Sequence, residues 1–208
     1  MSALGTLYFK FGLTENEVCA EIISVMLAEI LNIPIAKTCI AIYKNEVGIV
    51  SKDIDMYIEP DDSESYTIQN YIQIPGFIEM CLFDYLIMNE DRHAGNWGIS
   101  DNKIAPLYDH NICFGGESYP IDTTHFMNNV TSAFEVEELY HNQHNQILAY
   151  LITECKKQCE LFYNKIQSPF EIESPLLDDL YPDTFYIICN LLETRRLYML
   201  RKWSEYSV

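Results

Sequence analysis

The sequence predicts an α+β fold in which a small β-rich lobe precedes a larger helical lobe. Strand-like alternation is concentrated in the first fifty or so residues and in a short stretch near residue 100. Apolar residues recur at helical spacing through most of the chain after Pro75, and an acidic, turn-rich strip separates the two regions. Those three observations decide the class, because a run of strands followed by a run of helices segregates the layers. With 49% apolar residues, fifteen tyrosines and ten phenylalanines in 208 positions, the chain can bury one sizeable core and does not have a disordered composition.

Each element has a local reason. "TLYFKFG" (6–12) alternates and is rich in β-formers, predicting a strand that carries Lys10. Thr14 precedes a helix with Glu17 three residues later, the spacing of a capping box. Val18, Ile22, Val25, Met26 and Ile30 continue at helical spacing to about Leu31, and Pro34 closes the segment. "TCIAIYK" and "EVGIVSK" read as a hairpin turning at Asn45–Glu46. The strip 53–71 is the expected hinge, so the reduced β-rich lobe is placed at 1–75 and the helical lobe at 76–208. "PGFIEMCLFDYLIM" predicts a buried helix ending near Met88; "NWGIS" and "KIAPLYD" then form a second hairpin about Asp101–Asn102. Helices follow at about 134–140, 143–165, 176–180 and 183–203, with the prolines of "SPFEIESP" breaking the two long ones apart.

A formal charge of −18 argues against nucleic-acid phosphate and against an anionic membrane surface as partners. No apolar run approaches a membrane span, and "MSALGTLYFKFG" lacks the basic start and apolar middle of a secretory signal. Seven cysteines, odd in number and without CxxC pairs, fit reduced core thiols in a cytoplasmic protein. Cys155/Cys159 and His141/His144 have helix-face spacings but no further ligand beside them. Arg195, Arg196, Arg201 and Lys202 read as a basic helix end that complements the dipole and pairs with the acidic surface.

Chemistry concentrates in "FDYLIMNEDRHAGNWGI" (83–99), where an apolar helix runs into a polar loop and returns at once to buried residues. Asp91 and Asn96 lie five positions apart in that loop, and Asp109 follows at the end of the next hairpin. A loop Asp that accepts a hydroxyl proton, with an Asn and a second Asp that hold magnesium against the phosphates of ATP, is the layout of phosphoryl transfer on a protein-kinase-like bilobal scaffold. Magnesium requires hard oxygen ligands, which a carboxylate and an amide carbonyl supply. Lys10, on a strand just before a helix, is placed to reach the α- and β-phosphates; Glu17, or Glu21 one turn on, is its expected ion-pair partner. His93 is read as a scaffold residue without a chemical role.

"FDYLIMNEDRHAGNWGI" followed by "IAPLYDHNICFG" resembles the HipA-like serine/threonine kinases, in the D-x-H-x-x-N loop and the P-x-[YF]-D strand end. "YFKFG...ENEVCAEIISVMLAEILNIPIA" resembles their lysine strand and the helix after it. The resemblance spans roughly residues 6–50 and 76–116, with 83–112 the specific part. It implies Asp91 as the catalytic aspartate, Asn96 and Asp109 as magnesium ligands, Lys10 as the phosphate-contacting lysine, and Glu17 as the lysine's partner. It further implies a protein Ser or Thr as the acceptor. The helix-turn-helix antitoxin partner of bacterial toxin–antitoxin members is an analogy only. Only nine residues precede Lys10, so the glycine-rich phosphate loop of the family has no counterpart there. Three readings are open on that basis: a minimal kinase, one half of a split protein whose second polypeptide supplies the loop, or a degenerate nucleotide-binding relative.

Overall fold

A computed structural model describes residues 6–54, 71–89, 91–92, 96–114 and 144–208. The predicted helix at 134–140, most of the acidic strip, Gly115–Gly116 and His93 lie outside the described residues. The described chain begins with strand β1 (Leu7–Lys10) and helix α1 (Glu15–Leu31). Strands β2 (Thr38–Tyr43) and β3 (Glu46–Lys52) come next, followed by helix α2 (Phe77–Ile87). A short hairpin of β4 (Ile99–Ser100) and β5 (Lys103–Ile104) leads towards helices α3 (His144–Glu154), α4 (Lys156–Lys165), α5 (Pro175–Leu180) and α6 (Pro182–Tyr206).

The first three strands form an antiparallel sheet in the order β1-β3-β2. Its register sets Lys10 opposite Ile49, and Ile49 opposite Ile40. The turn between β2 and β3 falls at Lys44–Asn45, one residue before the expected place, because that pair adopts the left-handed backbone a tight hairpin needs (φ 51° and 66°). Gly48 sits on β3 against β1: a Cβ there would lie 2.2 Å from the Lys10 carbonyl oxygen, so only glycine lets the two strands pair at this point. The second hairpin turns at Asp101–Asn102 as expected, again with both residues left-handed. Its second strand is short. Beyond Ile104 the chain leaves β5, and Leu107 instead forms a parallel bridge with Ile35, just before β2.

α1 starts where predicted. The Thr14 hydroxyl accepts the Glu17 N–H while the Glu17 carboxylate accepts the Thr14 N–H, closing the capping box. Most of α1 is buried, including Asn16, Glu21 and Ser24, because it is packed between the sheet and the C-terminal helices. α2 is almost wholly buried, and its N-cap Gly76 (φ 89°) lies against the Ile104 side chain. Phe77 stacks on Tyr71 and meets Trp97, which returns the chain to the core after the polar loop. α6 packs across both α1 and α2, and the Lys165 ammonium of α4 caps the Leu31 carbonyl at the end of α1.

The helical region departs from expectation at two places. The predicted helix 143–165 is two helices, broken at Cys155, whose backbone leaves the helical region (φ −118°, ψ 33°). The basic residues of α6 do not form a helix end, since α6 continues to Tyr206 and has no basic residue in its last turn. Arg195 and Arg196 are buried instead: Arg195 Nε donates to the Tyr85 carbonyl at 2.6 Å, and Arg196 Nη1 donates to the carbonyls of Ile166 and Gln167. They bridge helices, donating to carbonyls at the C-terminal ends of α2 and α4, while the expected pairing with acidic residues is present as Arg196 with Glu193 and Arg201 and Lys202 with Glu205. All seven cysteines are free thiols, five of them buried. Among the described residues no helix is long and apolar enough to cross a membrane.

Candidate active site

A cleft of about 410 Å³ opens under the sheet, lined by Tyr8 and Lys10 of β1, Glu21 of α1, the strand end Ser51–Ile54, and Tyr108–Asp109. Across it the Lys10 ammonium forms an ion pair with the Asp109 carboxylate, joining the two ends of the predicted constellation. Asp109 adopts left-handed backbone (φ 62°), an uncommon state for a residue with a side chain and one that clusters at functional sites. The turn sorts the tripeptide Asp109–His110–Asn111. Asp109 and Asn111 both reach Lys10, the Asn111 Oδ1 accepting at 3.3 Å, while His110 points into the core.

α1 grips the same tripeptide with two carboxylates one helical turn apart. Glu21 is buried and accepts the His110 N–H at 2.5 Å. Glu17 Oε1 accepts from Asn111 Nδ2 at 3.2 Å. The sequence offered Glu17, or else Glu21, as the direct ion-pair partner of Lys10. In the structure neither glutamate pairs with it directly: Glu17 reaches Lys10 through the Asn111 amide. The reason is the capping box, which holds the Glu17 carboxylate on the Thr14 N–H and hydroxyl at 2.7 and 2.8 Å. Glu21 shares the cleft with Lys10; burial pushes its carboxyl up to about 7, against the downward pull of the His110 N–H and of Lys10.

The polar loop is fixed from beneath by Arg92. This guanidinium is fully buried and pairs with Asp84 of α2 through Nη2 at 2.8 Å and Nε at 3.1 Å. Its remaining donors reach the Asn96 carbonyl at 2.6 Å, the Tyr108 carbonyl at 3.3 Å and the His110 ring at 2.9 Å. Arginine can only donate, so His110 Nε2 accepts and the ring is neutral. Burial, then the positive charges of Arg92 and Lys10, hold the imidazole well below its ordinary titration range. Asn89 extends the network, donating to Asp84 at 3.0 Å and accepting the Asp91 N–H at 2.9 Å. Asn96 Nδ2 donates to the Asp91 carbonyl at 2.5 Å. One buried ion pair therefore sets the backbone positions of Asp91, Asn96 and the segment beyond β5 that carries Asp109.

Asp91 and Asn96 do not line the cleft itself; Arg92 holds their loop against the Tyr108–Asp109 segment that does. Carboxylate and amide oxygens are the donor types magnesium takes, and of Asn96 and Asp109 it is Asp109 that lies at the cleft. Asp109 offers a partly exposed carboxylate facing the cleft, and Asn96, its nitrogen committed to the Asp91 carbonyl, has an amide oxygen as its other end. Sequence reasoning missed Asp84 and Asn111 and gave Arg92 no role. Asp84 did leave a signal, a carboxylate in the middle of the apolar run 80–87 with a cation eight residues on. Asn111 left none, because an Asn after a strand end reads as a turn former.

A three-stranded sheet, a helix behind it, a cleft floored by an aspartate and a helical region beyond define an α+β, protein-kinase-like fold. Among solved structures the chain is similar to the Helicobacter pylori proinflammatory kinase CtkA, with a TM-score of 0.57 and 17% identity over 97% of this chain and 92% of that one. No protein-family model matches the chain, and no curated protein matches it.

Proposed function

We propose that this chain is an ATP- and magnesium-dependent phosphotransferase, a HipA-like serine/threonine kinase that transfers the γ-phosphoryl of ATP to a protein hydroxyl. The observation that carries the reading is the Lys10–Asp109 ion pair across a nucleotide-sized cleft, formed by residues 99 positions apart. Asn96 and Asp109 would hold magnesium, and Lys10 would neutralise the α- and β-phosphates. Magnesium and ATP, when bound, supply the phosphoryl group and the charge screening at its oxygens. Asp91 orients the acceptor hydroxyl and takes its proton, a task that rests chiefly on positioning. Glu17 holds Lys10 through Asn111, and Arg92 keeps the Asp91–Asn96 loop in register with Asp109. β1 is an outer strand of the described sheet, the side on which a second polypeptide carrying a glycine-rich loop would add.

The test is transfer of labelled phosphate from ATP with magnesium, screened against protein and small-alcohol acceptors. Transfer to Ser or Thr is expected, and Asp91→Asn and Asp109→Asn should each abolish it while the far-ultraviolet circular dichroism stays native. Retained transfer in either variant overturns the assigned roles. Stabilisation by magnesium and ATP with no transfer to any acceptor would make the chain a nucleotide-binding regulatory module, and transfer to small alcohols alone would make it a small-molecule kinase.

A further inference from the structure

We infer that Lys10 competes with the divalent cation for Asp109, and that Asn111 is the positioning residue that receives the lysine when the cation arrives, so that cation and nucleotide bind cooperatively. This rests on the kinase reading of the cleft and concerns the order in which the cleft fills. In the structure the Lys10 ammonium sits on Asp109 Oδ1, so it neutralises the carboxylate that a metal ion would use. Two cations cannot share that carboxylate without repulsion, so a metal at Asp109 must drive the ammonium elsewhere.

The geometry supplies one place for it. Asn111 Oδ1 already lies 3.3 Å from Lys10 Nζ. The Asn111 amide cannot turn away, because its Nδ2 is held by Glu17 at 3.2 Å and Glu17 is itself held by the capping box. A neutral amide oxygen also suits a transfer point better than a carboxylate. It keeps the ammonium in the cleft without fixing it there, and incoming phosphates can then take it as the stronger acceptor. Nucleotide binding thus removes the competitor for Asp109, and cation binding frees the lysine for phosphate. The coupling is reciprocal, as any linkage between two sites must be.

Mn²⁺ binding, followed by water-proton relaxation with and without a non-hydrolysable ATP analogue, tests this without any transfer reaction. In the native chain Mn²⁺ alone should bind weakly, and the analogue should tighten it. Lys10→Ala should tighten binding of Mn²⁺ alone by roughly tenfold, the size expected for removing a like charge about 5 Å from a divalent ion in a solvated cleft. The same variant should reduce the further tightening by the analogue, leaving only the part that the phosphate oxygens supply as direct ligands. Asn111→Ala, which leaves the lysine no alternative acceptor, should weaken Mn²⁺ binding in the native background and change nothing in the Lys10→Ala background. Unchanged or weaker Mn²⁺ binding in Lys10→Ala overturns the competition, and an Asn111→Ala effect that persists without Lys10 overturns the role of Asn111. The kinase reading fails separately, if no acceptor is phosphorylated while this metal competition is observed.

Discussion

Replacing Asp84 by alanine should be the most damaging single change outside the cleft. The Asp84 and Arg92 side chains are both fully buried, and the guanidinium also holds the carbonyls of Asn96 and Tyr108. Removing the carboxylate leaves a cation in the core with neutral acceptors only. Breaking a buried pair from one side costs about 3–5 kcal/mol. Surviving bonds to two carbonyls and to neutral His110 place the expected loss towards the lower half, at about 3–4 kcal/mol. Total stability for a domain is about 5–15 kcal/mol, so this is a large share of it. For a chain of this length each kcal/mol moves Tm by about 2–4 °C, giving a fall of roughly 6–16 °C. Urea unfolding by circular dichroism measures it directly. The double variant Asp84→Leu/Arg92→Met should regain much of the loss, because it removes both buried charges, yet should still bind nucleotide poorly because the loop has lost its tie. A loss below about 1 kcal/mol in Asp84→Ala, or a double variant as damaged as the sum of the two single ones, would refute the reasoning.

Three further outcomes are expected. Glu21, with its carboxyl raised to about 7 by burial, binds a proton in the folded state that the unfolded chain has already released. Stability should therefore fall as pH rises from about 4.5 to 7 and level off above, and Glu21→Gln should remove that component of the slope in urea melts taken across the range. Gly48→Ala would set a Cβ 2.2 Å from the Lys10 carbonyl oxygen, so β1 and β3 must separate. It should lose about 1–3 kcal/mol and weaken nucleotide binding together, and a neutral result in both assays would show that β1 is not held at this contact. Thr14→Ala removes the capping hydroxyl of α1 and should cost about 1 kcal/mol in urea unfolding, with a smaller effect on nucleotide affinity because the Thr14 N–H still anchors Glu17.

Short-range chemistry determines the parts of the fold that were legible in the sequence. The start of α1 needed only Thr14 and Glu17, three positions apart, and the Asp101–Asn102 turn needed only two residues able to take left-handed backbone. Lys10 and Asp109 were legible as members of one cleft from the order of the elements that carry them, although β5 ends at Ile104 and Asp109 lies on the irregular segment beyond it. Elsewhere the deciding partner lay far along the chain. Arg195 and Arg196 read as surface charge, yet they bond carbonyls at Tyr85, Ile166 and Gln167 that no local pattern could announce. The break at Cys155 divides a stretch whose apolar spacing continues unbroken, so packing against the rest of the core decides it. Spacing offers Glu17, or Glu21 one turn on, as a direct partner of Lys10, and it cannot show that a carboxylate committed to a helix cap acts through an intervening amide.

A guanidinium that grips peptide oxygens is indifferent to the side chains those peptides carry. Because Arg92 takes the main-chain carbonyls of residues 96 and 108, evolution can exchange Tyr108, which lines the cleft, and so retune what the cleft admits without slackening the loop behind it. Rigidity and selectivity are in this way assigned to different atoms of the same residue.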